Sequence, residues 1–412
     1  MKTNETTPIP QGYKATPLGI IPQEWEVRPI SKAFRIQSGY AFKSELFTKE
    51  GGNPVVRISN LPMNDKYIDL SDCVYYPASI NVKEQFIVHK NDFLIAMSGA
   101  TTGKSAIYNY DYEALLNQRV GVFRQISDKI DSQYLHIIMR SQLFIFQLQY
   151  LLIAGAQPNV SPNDIENMVF PIPPLAEQKK IAEVLGVWDK AIEKQSQLIE
   201  QLTLRKRGLM QQLLAGKKRI PGFSGEWRKE KAGSIFENSS VRSNKSEPLL
   251  SATQEYGVVP RDMLETRVTM PSGNLSSFKR VDIGDFVISL RSFEGGIEYS
   301  KYSGIVSPAY TVLKKKHNVN DIFYKAYFKS HEFIQRLAIA VIGIRDGKQI
   351  SYSDFCYIRI PLPSFEEQTA IAEVLTAADR EIELAQQKLE LLRQQKRGLM
   401  QQLLTGKKRV KL

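Results

Sequence analysis

Lys206-Arg207-Gly208-Leu209-Met210-Gln211-Gln212-Leu213-Leu214 returns unaltered as Lys396 to Leu404, and one residue later Gly-Lys-Lys-Arg closes both copies. Reading outward, the whole stretch Pro171 to Ile220 recurs as Pro361 to Val410 without a gap, at an offset of 361 − 171 = 190 residues. Glu177-Gln178 returns as Glu367-Gln368, and Ile181-Ala182-Glu183-Val184-Leu185 as Ile371-Ala372-Glu373-Val374-Leu375. A repeat of this length decides the architecture before any local propensity does. The chain reads globule, helix, globule, helix.

Both copies carry a heptad seam. Positions 181, 185, 188, 192, 195, 199, 202, 206, 209 and 213 read Ile, Leu, Trp, Ile, Gln, Ile, Leu, Lys, Leu, Leu; the second copy reads Ile, Leu, Ala, Ile, Ala, Leu, Leu, Lys, Leu, Leu. Pro171-Ile172-Pro173-Pro174 and Pro361-Leu362-Pro363-Ser364 are extended entries. Ser364 with Glu367 predicts a capping box that Pro174 cannot make, and Gly216 and Gly406 end the helices. A helix of about 40 residues spans on the order of 60 Å. Such a stripe needs a partner, and pairing of the two copies as an antiparallel coiled coil is the simplest solution, with a globule at each end. The seam lysines Lys206 and Lys396, followed by Gly208 and Gly398, point to close approach by a partner. The chain end after Gly406 is then expected beside the Ile20 to Trp25 entry of the first globule.

A chain of 412 residues exceeds one ordinary core. The expected division is a loose lead-in over 1–19, globules over 20–170 and 221–360, and helical spacers over 171–220 and 361–412. Cys73 and Cys356 are too few for a disulfide framework or zinc site, and four scattered histidines show no ligand spacing, so no metal site is expected. No signal peptide or membrane-length apolar run is present, which fits a cytoplasmic protein. The 55 Lys/Arg against 43 Asp/Glu leave +12, favouring a polyanionic partner. Residues 13–170 balance at 15 against 15, so the excess lies in the spacers and the second globule.

Each globule reads as a mixed α/β unit. In the first, β-rich runs fall at Pro54–Ile58, Gln85–Val88, Asp92–Met97 and Arg119–Phe123, followed by a helix from Ser132 to about Leu152. The second repeats the order with Val281–Ile288, Tyr310–Leu313 and a helix from Asp321 to Ile339. Glu24-Trp25 and Glu226-Trp227 open the two at one common offset with Phe34 and Phe236 (227 − 25 = 236 − 34 = 202). The fold class is therefore α/β (α+β), with two related globules and a helical pair in a pseudo-two-fold arrangement.

Pro171-Ile172-Pro173-Pro174-Leu175-Ala176-Glu177-Gln178 with Ile181-Ala182, the matching second copy, Ile21-Pro22-x-x-Trp25 and the run Asp92 to Gly103 together resemble the specificity subunit of type I restriction–modification systems, over nearly the whole chain. The resemblance implies two target-recognition domains, two helical spacers, double-stranded DNA as ligand, two adenine-methyltransferase subunits as partners and restriction subunits in the full complex. It implies no cofactor in this chain, S-adenosylmethionine, ATP and Mg belonging to the partners. Glu177, Gln178, Lys206, Arg207, Gly208, Glu367, Gln368, Lys396, Arg397 and Gly398 are the expected docking residues. The second globule departs from the glycine-rich turn, having Arg291-Ser292-Phe293-Glu294-Gly295-Gly296.

No catalytic set emerges. Gly99-Ala100-Thr101-Thr102-Gly103-Lys104-Ser105 is one residue short of a P-loop, and the residues after it do not read as a helix. The polar loop residues suit DNA instead, since Arg reads guanine, Asn or Gln reads adenine, and hydroxyls read either. Candidates in the first globule are Arg57, Ser59, Asn60, Ser98, Gly99, Thr101, Thr102, Gly103, Lys104, Asn117, Gln118, Arg119, Gln157 and Asn159. In the second they are Arg261, Arg291, Ser292, Tyr310, Arg345, Lys348 and Gln349. The competing readings are a coiled-coil adaptor whose globules bind proteins, and a nucleotide hydrolase using Gly99 to Ser105.

Overall fold

The computed structural model describes residues 9–62, 66–154, 159–242, 247–264, 275–290, 292–341 and 350–412. It divides into two compact units, Met1–Lys194 with Leu389–Leu412, and Gln195–Lys388.

The first unit is built on an antiparallel sheet of Phe34–Ser38, Val120–Gln125, Phe93–Ala96 and Ser105–Ile107, in that order. Its central strands are buried on both faces, and their alternation feeds two cores. Phe93, Ile95 and Phe123 point into one, Leu94, Ala96, Val120 and Val122 into the other. The second core lies against a mixed sheet of Val74–Tyr76, Asn53–Val56, Ala114–Leu116 and Ile87–Val88, the middle pair parallel. Onto the first core pack helices α1 (Ser132–Ile138) and α2 (Gln142–Ala154) and the start of the long helix α4 (Leu175–Leu213). The short α3 (Pro162–Glu166) brings the Glu166 carboxylate to Ile36 N and Arg35. The single helix expected over 132–152 is two, because Ser141 Oγ accepts from Phe144 N and restarts the helix.

The lead-in is more ordered than expected. From Tyr13 it is a strand, Tyr13–Thr16, paired with Gly19–Pro22, and Tyr13 Oη donates to the Gly406 carbonyl at 2.9 Å.

The second unit repeats the plan on Phe236–Ser239, Thr311–Lys315, Phe286–Ile288 and Glu298–Tyr299. Phe286, Ile288 and Leu313 face an aromatic core, Val287 and Val312 a smaller one. Its helices are α5 (Ala232–Ile235), α6 (Ser292–Gly295), α7 (Asp321–Tyr327), α8 (His331–Val341), α9 (Tyr352–Cys356) and α10 (Phe365–Leu404). Here too the expected helix over 321–339 is broken, at Phe328 to Ser330, with Ser330 Oγ accepting from Phe333 N.

The long helices α4 and α10, of 39 and 40 residues, run antiparallel in both units. In the second unit Lys206 Nζ meets Asp379 Oδ1, and Gln195 Nε2 donates to the Ala385 carbonyl at 3.0 Å. In the first, Lys396 Nζ meets Asp189 Oδ1 at 2.5 Å. The partner numbers sum to nearly one value (206 + 379 = 396 + 189 = 585; 195 + 385 = 580), as antiparallel register requires. Every predicted seam position is buried or half-buried.

Candidate nucleic-acid interface

Four segments of the first unit converge at one end of its central sheet. Strand pairing sets Val120 opposite Ala96, so Met97 N donates to the Arg119 carbonyl at 3.0 Å and the turns 98–104 and 117–119 lie side by side. Asn159 pairs with Ser98 across an antiparallel bridge, and Val160 N donates to Met97 O. Leu116 pairs with Val56 in parallel, which brings the 57–60 turn alongside; a Cβ on Gly99 would lie 3.8 Å from Ile58 Cδ1. Two glycines shape the central turn, Gly99 at φ +72° and Gly103 at φ +85°. Gly103 lies so close to α2 that a Cβ there would stand 2.1 Å from Leu148 Cδ2. The turn holds a 3-10 segment, Gly99–Thr101, and leads into the strand Ser105–Ile107. No helix N-terminus follows to hold a nucleotide phosphate, so the hydrolase reading has no geometry behind it.

Within this set the side chains divide. Ser59, Gln118, Arg119 and Asn159 are exposed, and Thr101, Thr102, Lys104, Asn117 and Arg57 half-buried. Asn60 is 3% exposed, its Oδ1 accepting from Arg57 N and its Nδ2 donating to Asp69 O. It shapes the turn and cannot read a base, a correction that sequence position alone could not supply. Ser98 is also buried, with Oγ unpartnered among the described residues.

In the second unit, Ile288 pairs with Thr311, so the turn leading into α6 and the turn ending at Tyr310 share one sheet end. Tyr310 is half-buried and its carbonyl accepts from Lys279 Nζ at 2.5 Å. Arg261 stands on the neighbouring hairpin, Nε donating to Ser251 Oγ. Ser292 is 1% exposed and its Oγ accepts from Ser289 N, so it too shapes its turn and does not face a ligand. Gln157, Arg291, Arg345, Lys348 and Gln349 lie outside the described residues.

The expected docking residues fare unevenly. Glu177, Gln178, Glu367 and Gln368 are all 1–2% exposed and form twin buried clusters. Glu177 Oε2 accepts from Trp25 Nε1 at 2.9 Å, and Arg409 clamps the same carboxylate at 2.6 and 2.8 Å. Glu367 accepts from Trp227 Nε1 at 2.9 Å and from Arg219 at 2.6 and 2.6 Å. The guanidiniums also lie over the indoles, 5.8 Å from Trp25 and 5.5 Å from Trp227. Each Arg ends one long helix and grips the Glu that begins the other. These contacts replace the expected capping box: Ser364 Oγ does accept from Glu367 N, but the Glu367 carboxylate is drawn to Trp227 and Arg219. Gln178 Oε1 accepts from Asp131 N and its Nε2 donates to Pro173 O; Gln368 repeats this with Asn320 and Pro363. The Glu-Gln pairs therefore lock the frame and offer nothing to a partner. The signal for Arg219 and Arg409 was present in the repeated Gly-Lys-Lys-Arg, but their partners lie on the other copy.

Lys206 and Lys396 are committed to the cross-helix ion pairs described above. Arg207 and Arg397 are exposed, Arg397 bonding Glu390. Gly208 and Gly398 open onto free space, with nothing within 4 Å of a Cβ placed on either. Those four remain available to a partner.

Among the described residues there is no cluster of metal-ligating side chains, and no described helix is long and apolar enough to cross a membrane.

A family model described as the type I restriction modification DNA specificity domain matches residues 22–204 and again 225–394. A putative type I restriction enzyme MjaX specificity subunit of Methanocaldococcus jannaschii is 28% identical, over 97% of both chains. The EcoKI specificity subunit of Escherichia coli is 29% identical over 58% of this chain and 53% of its own length. Among solved structures, a chain from work on complex assembly and conformational transition of the type I R-M system superposes with a TM-score of 0.61 at 17% identity, covering 94% of this chain and 99% of that one. The S subunit of the M. genitalium type I restriction-modification system gives 0.52 at 16%, covering 92% and 96%.

Proposed function

Because the chain belongs to the type I restriction modification DNA specificity family, we propose that each of its two globules reads one half of an asymmetric, bipartite DNA target. The observation that carries this is the contrast between frame and turns. The long helices and their Trp-Glu-Arg clusters are near copies, whereas the turns gathered at the sheet ends differ in sequence. Equivalent frames present equivalent docking surfaces, and unlike turns read unlike letters.

In this reading the exposed Arg207, Arg397 and Gly398 and the half-buried Gly208 belong to twin surfaces for two methyltransferase subunits, with restriction subunits joining the full assembly. The chain itself is non-catalytic and holds no cofactor; S-adenosylmethionine, ATP and Mg act in the partners, and the target adenine is flipped into the methyltransferase's own pocket. Work on genomic DNA places the complex in the cytoplasm. The helical spacers set the distance between half-sites, centred about one helical turn or roughly 34–36 Å apart. The family assignment disfavours the adaptor reading.

Methylome sequencing of a host carrying this chain with the methyltransferase of its own system tests the proposal. The expected result is one bipartite motif with an unread spacer. Inserting a heptad into both helices, about 10 Å at 1.5 Å per residue, lengthens that spacer while keeping both sets of letters. Methylation without a motif, or an insertion that changes the letters, would sink it.

A further inference from the structure

Behind each candidate recognition turn stands a cation whose place in the fold is duplicated. Arg140 follows α1 and Lys329 follows α7, each nine residues beyond the residue that caps its helix (140 − 131 = 329 − 320 = 9). Arg140 Nη2 donates at 2.9 Å to the carbonyl of Ser105, where the strand leaves the 98–104 turn. Lys329 Nζ donates at 2.9 Å to the Gly295 carbonyl, the last residue of α6, and at 2.6 Å to Glu298 Oε1, where the next strand begins.

The second contact is the more demanding. Glu298 is 1% exposed, and its Oε2 is buried without a hydrogen-bond partner among the described residues. A carboxylate in that setting keeps its charge only beside a cation. The turn packs tightly as well: a Cβ on Gly296 would meet the Phe328 carbonyl at 2.1 Å, directly before Lys329.

The far ends of the same helices are held by the long helices. Gln178 Oε1 accepts from Asp131 N at 2.8 Å and Gln368 Oε1 from Asn320 N at 2.9 Å. Midway, Tyr134 Oη and Tyr324 Oη donate to the carbonyls of Pro171 and Pro361 at 3.0 and 2.9 Å. Each turn is thus joined to a half-buried, seven-residue helix bolted at its other end to the spacer.

We propose that Arg140 and Lys329 are positioning residues for DNA readout, fixing each recognition turn against the spacer helix so that its side chains meet the bases in one register. This rests on the reading of the turns as DNA-reading elements. In the second globule, loss of the Lys329 ammonium leaves Glu298 to take up a proton or draw in water, and releases the turn.

The test uses the full chain co-expressed with its methyltransferase and reads the methylated motif by sequencing. Lys329→Met combined with Glu298→Gln removes the anchor without stranding a buried charge. It is expected to make the letters of one half-site degenerate and to lower methylation of the cognate site about tenfold, the order for one charge-assisted hydrogen bond. The other half-site stays intact. Arg140→Met is expected to degrade the opposite half-site, and Lys329→Arg to restore most of the wild-type pattern. Both variants methylating as wild type would overturn the proposal. So would equal loss at both half-sites with a lowered melting temperature of the purified complex, which marks a merely structural role. Absence of any bipartite motif with the wild-type chain would instead refute the reading of the turns.

Discussion

Arg409 Nε lies 2.6 Å from Glu177 Oε1, although 232 residues separate them in sequence. The carboxylate is 2% exposed, flanked on its other side by Trp25 Nε1, and its counterpart is the Arg219–Glu367–Trp227 cluster of the second unit. Arg409→Ala leaves a buried carboxylate with one neutral donor. The expected loss is about 3 kcal/mol, the low end for a buried pair because the Arg409 side chain is itself 36% exposed, read by urea unfolding, with Arg409→Lys keeping part of it. Arg219→Ala should act alike, and the two losses should add because the clusters share no partner.

His136 is packed 4.3 Å from the Phe93 ring centroid. Burial, with Arg140 and Lys66 nearby, holds its imidazole neutral, its pKa lowered to about 3. Its folded pKa lies below the unfolded value, so the unfolded chain takes up the proton first. Stability is full above about pH 6.5 and falls as pH drops toward about 3, at up to about 1.4 kcal/mol per unit from this group. His136→Phe should flatten that part of a melting-temperature profile, and the imidazole resonances should show no titration between pH 7 and 5. A midpoint near 6 would contradict the burial argument.

Gly103→Ala and Gly99→Ala separate strain from contact. Both residues have positive φ, but a Cβ on Gly99 would make only ordinary contact with Ile58 at 3.8 Å, whereas on Gly103 it would overlap Leu148 at 2.1 Å. Gly99→Ala is expected to cost about 1 kcal/mol and Gly103→Ala about 2–3 kcal/mol. Methylation through the first half-site should fall further with Gly103→Ala, because the buried Leu148 side chain of α2 must shift beneath the turn.

Gly208→Ala, alone or with Gly398→Ala, has opposite expected effects in two assays. In the free chain a Cβ meets nothing, so the helix gains about 0.5–1 kcal/mol per site. If a methyltransferase subunit packs closely there, affinity for it falls. Titration calorimetry beside thermal melting reads both, and a stabilised chain with unchanged affinity would remove these glycines from the docking surface.

Much of the frame was legible from the repeat. The seam positions, the glycine stops and the return of the chain past Gly406 to the Trp25 entry all follow from heptad spacing and one offset. The breaks at Met139 to Ser141 and at Phe328 to Ser330 were not legible. Serine restarts a helix only when its hydroxyl is placed on the right amide, and apolar periodicity runs across the break unchanged. Asn60 and Ser292 look like base readers as letters and are turn-forming residues in space.

What the sequence determined by itself is therefore the periodic part: two α/β globules, two matched helices, and their antiparallel pairing. Those depend on residue spacing along one chain. Tertiary structure alone decided which polar side chains are spent. Glu177, Gln178, Glu367 and Gln368 are the most recognisable letters of the repeat, yet they are buried, because the tryptophan and arginine that bind each Glu and the Asp131 and Asn320 amides that donate to each Gln arrive from distant segments. The turns proposed to read DNA are set by the same long-range geometry: strand register gathers 57–60, 98–104, 117–119 and Asn159 at one sheet end, and no local pattern encodes that meeting.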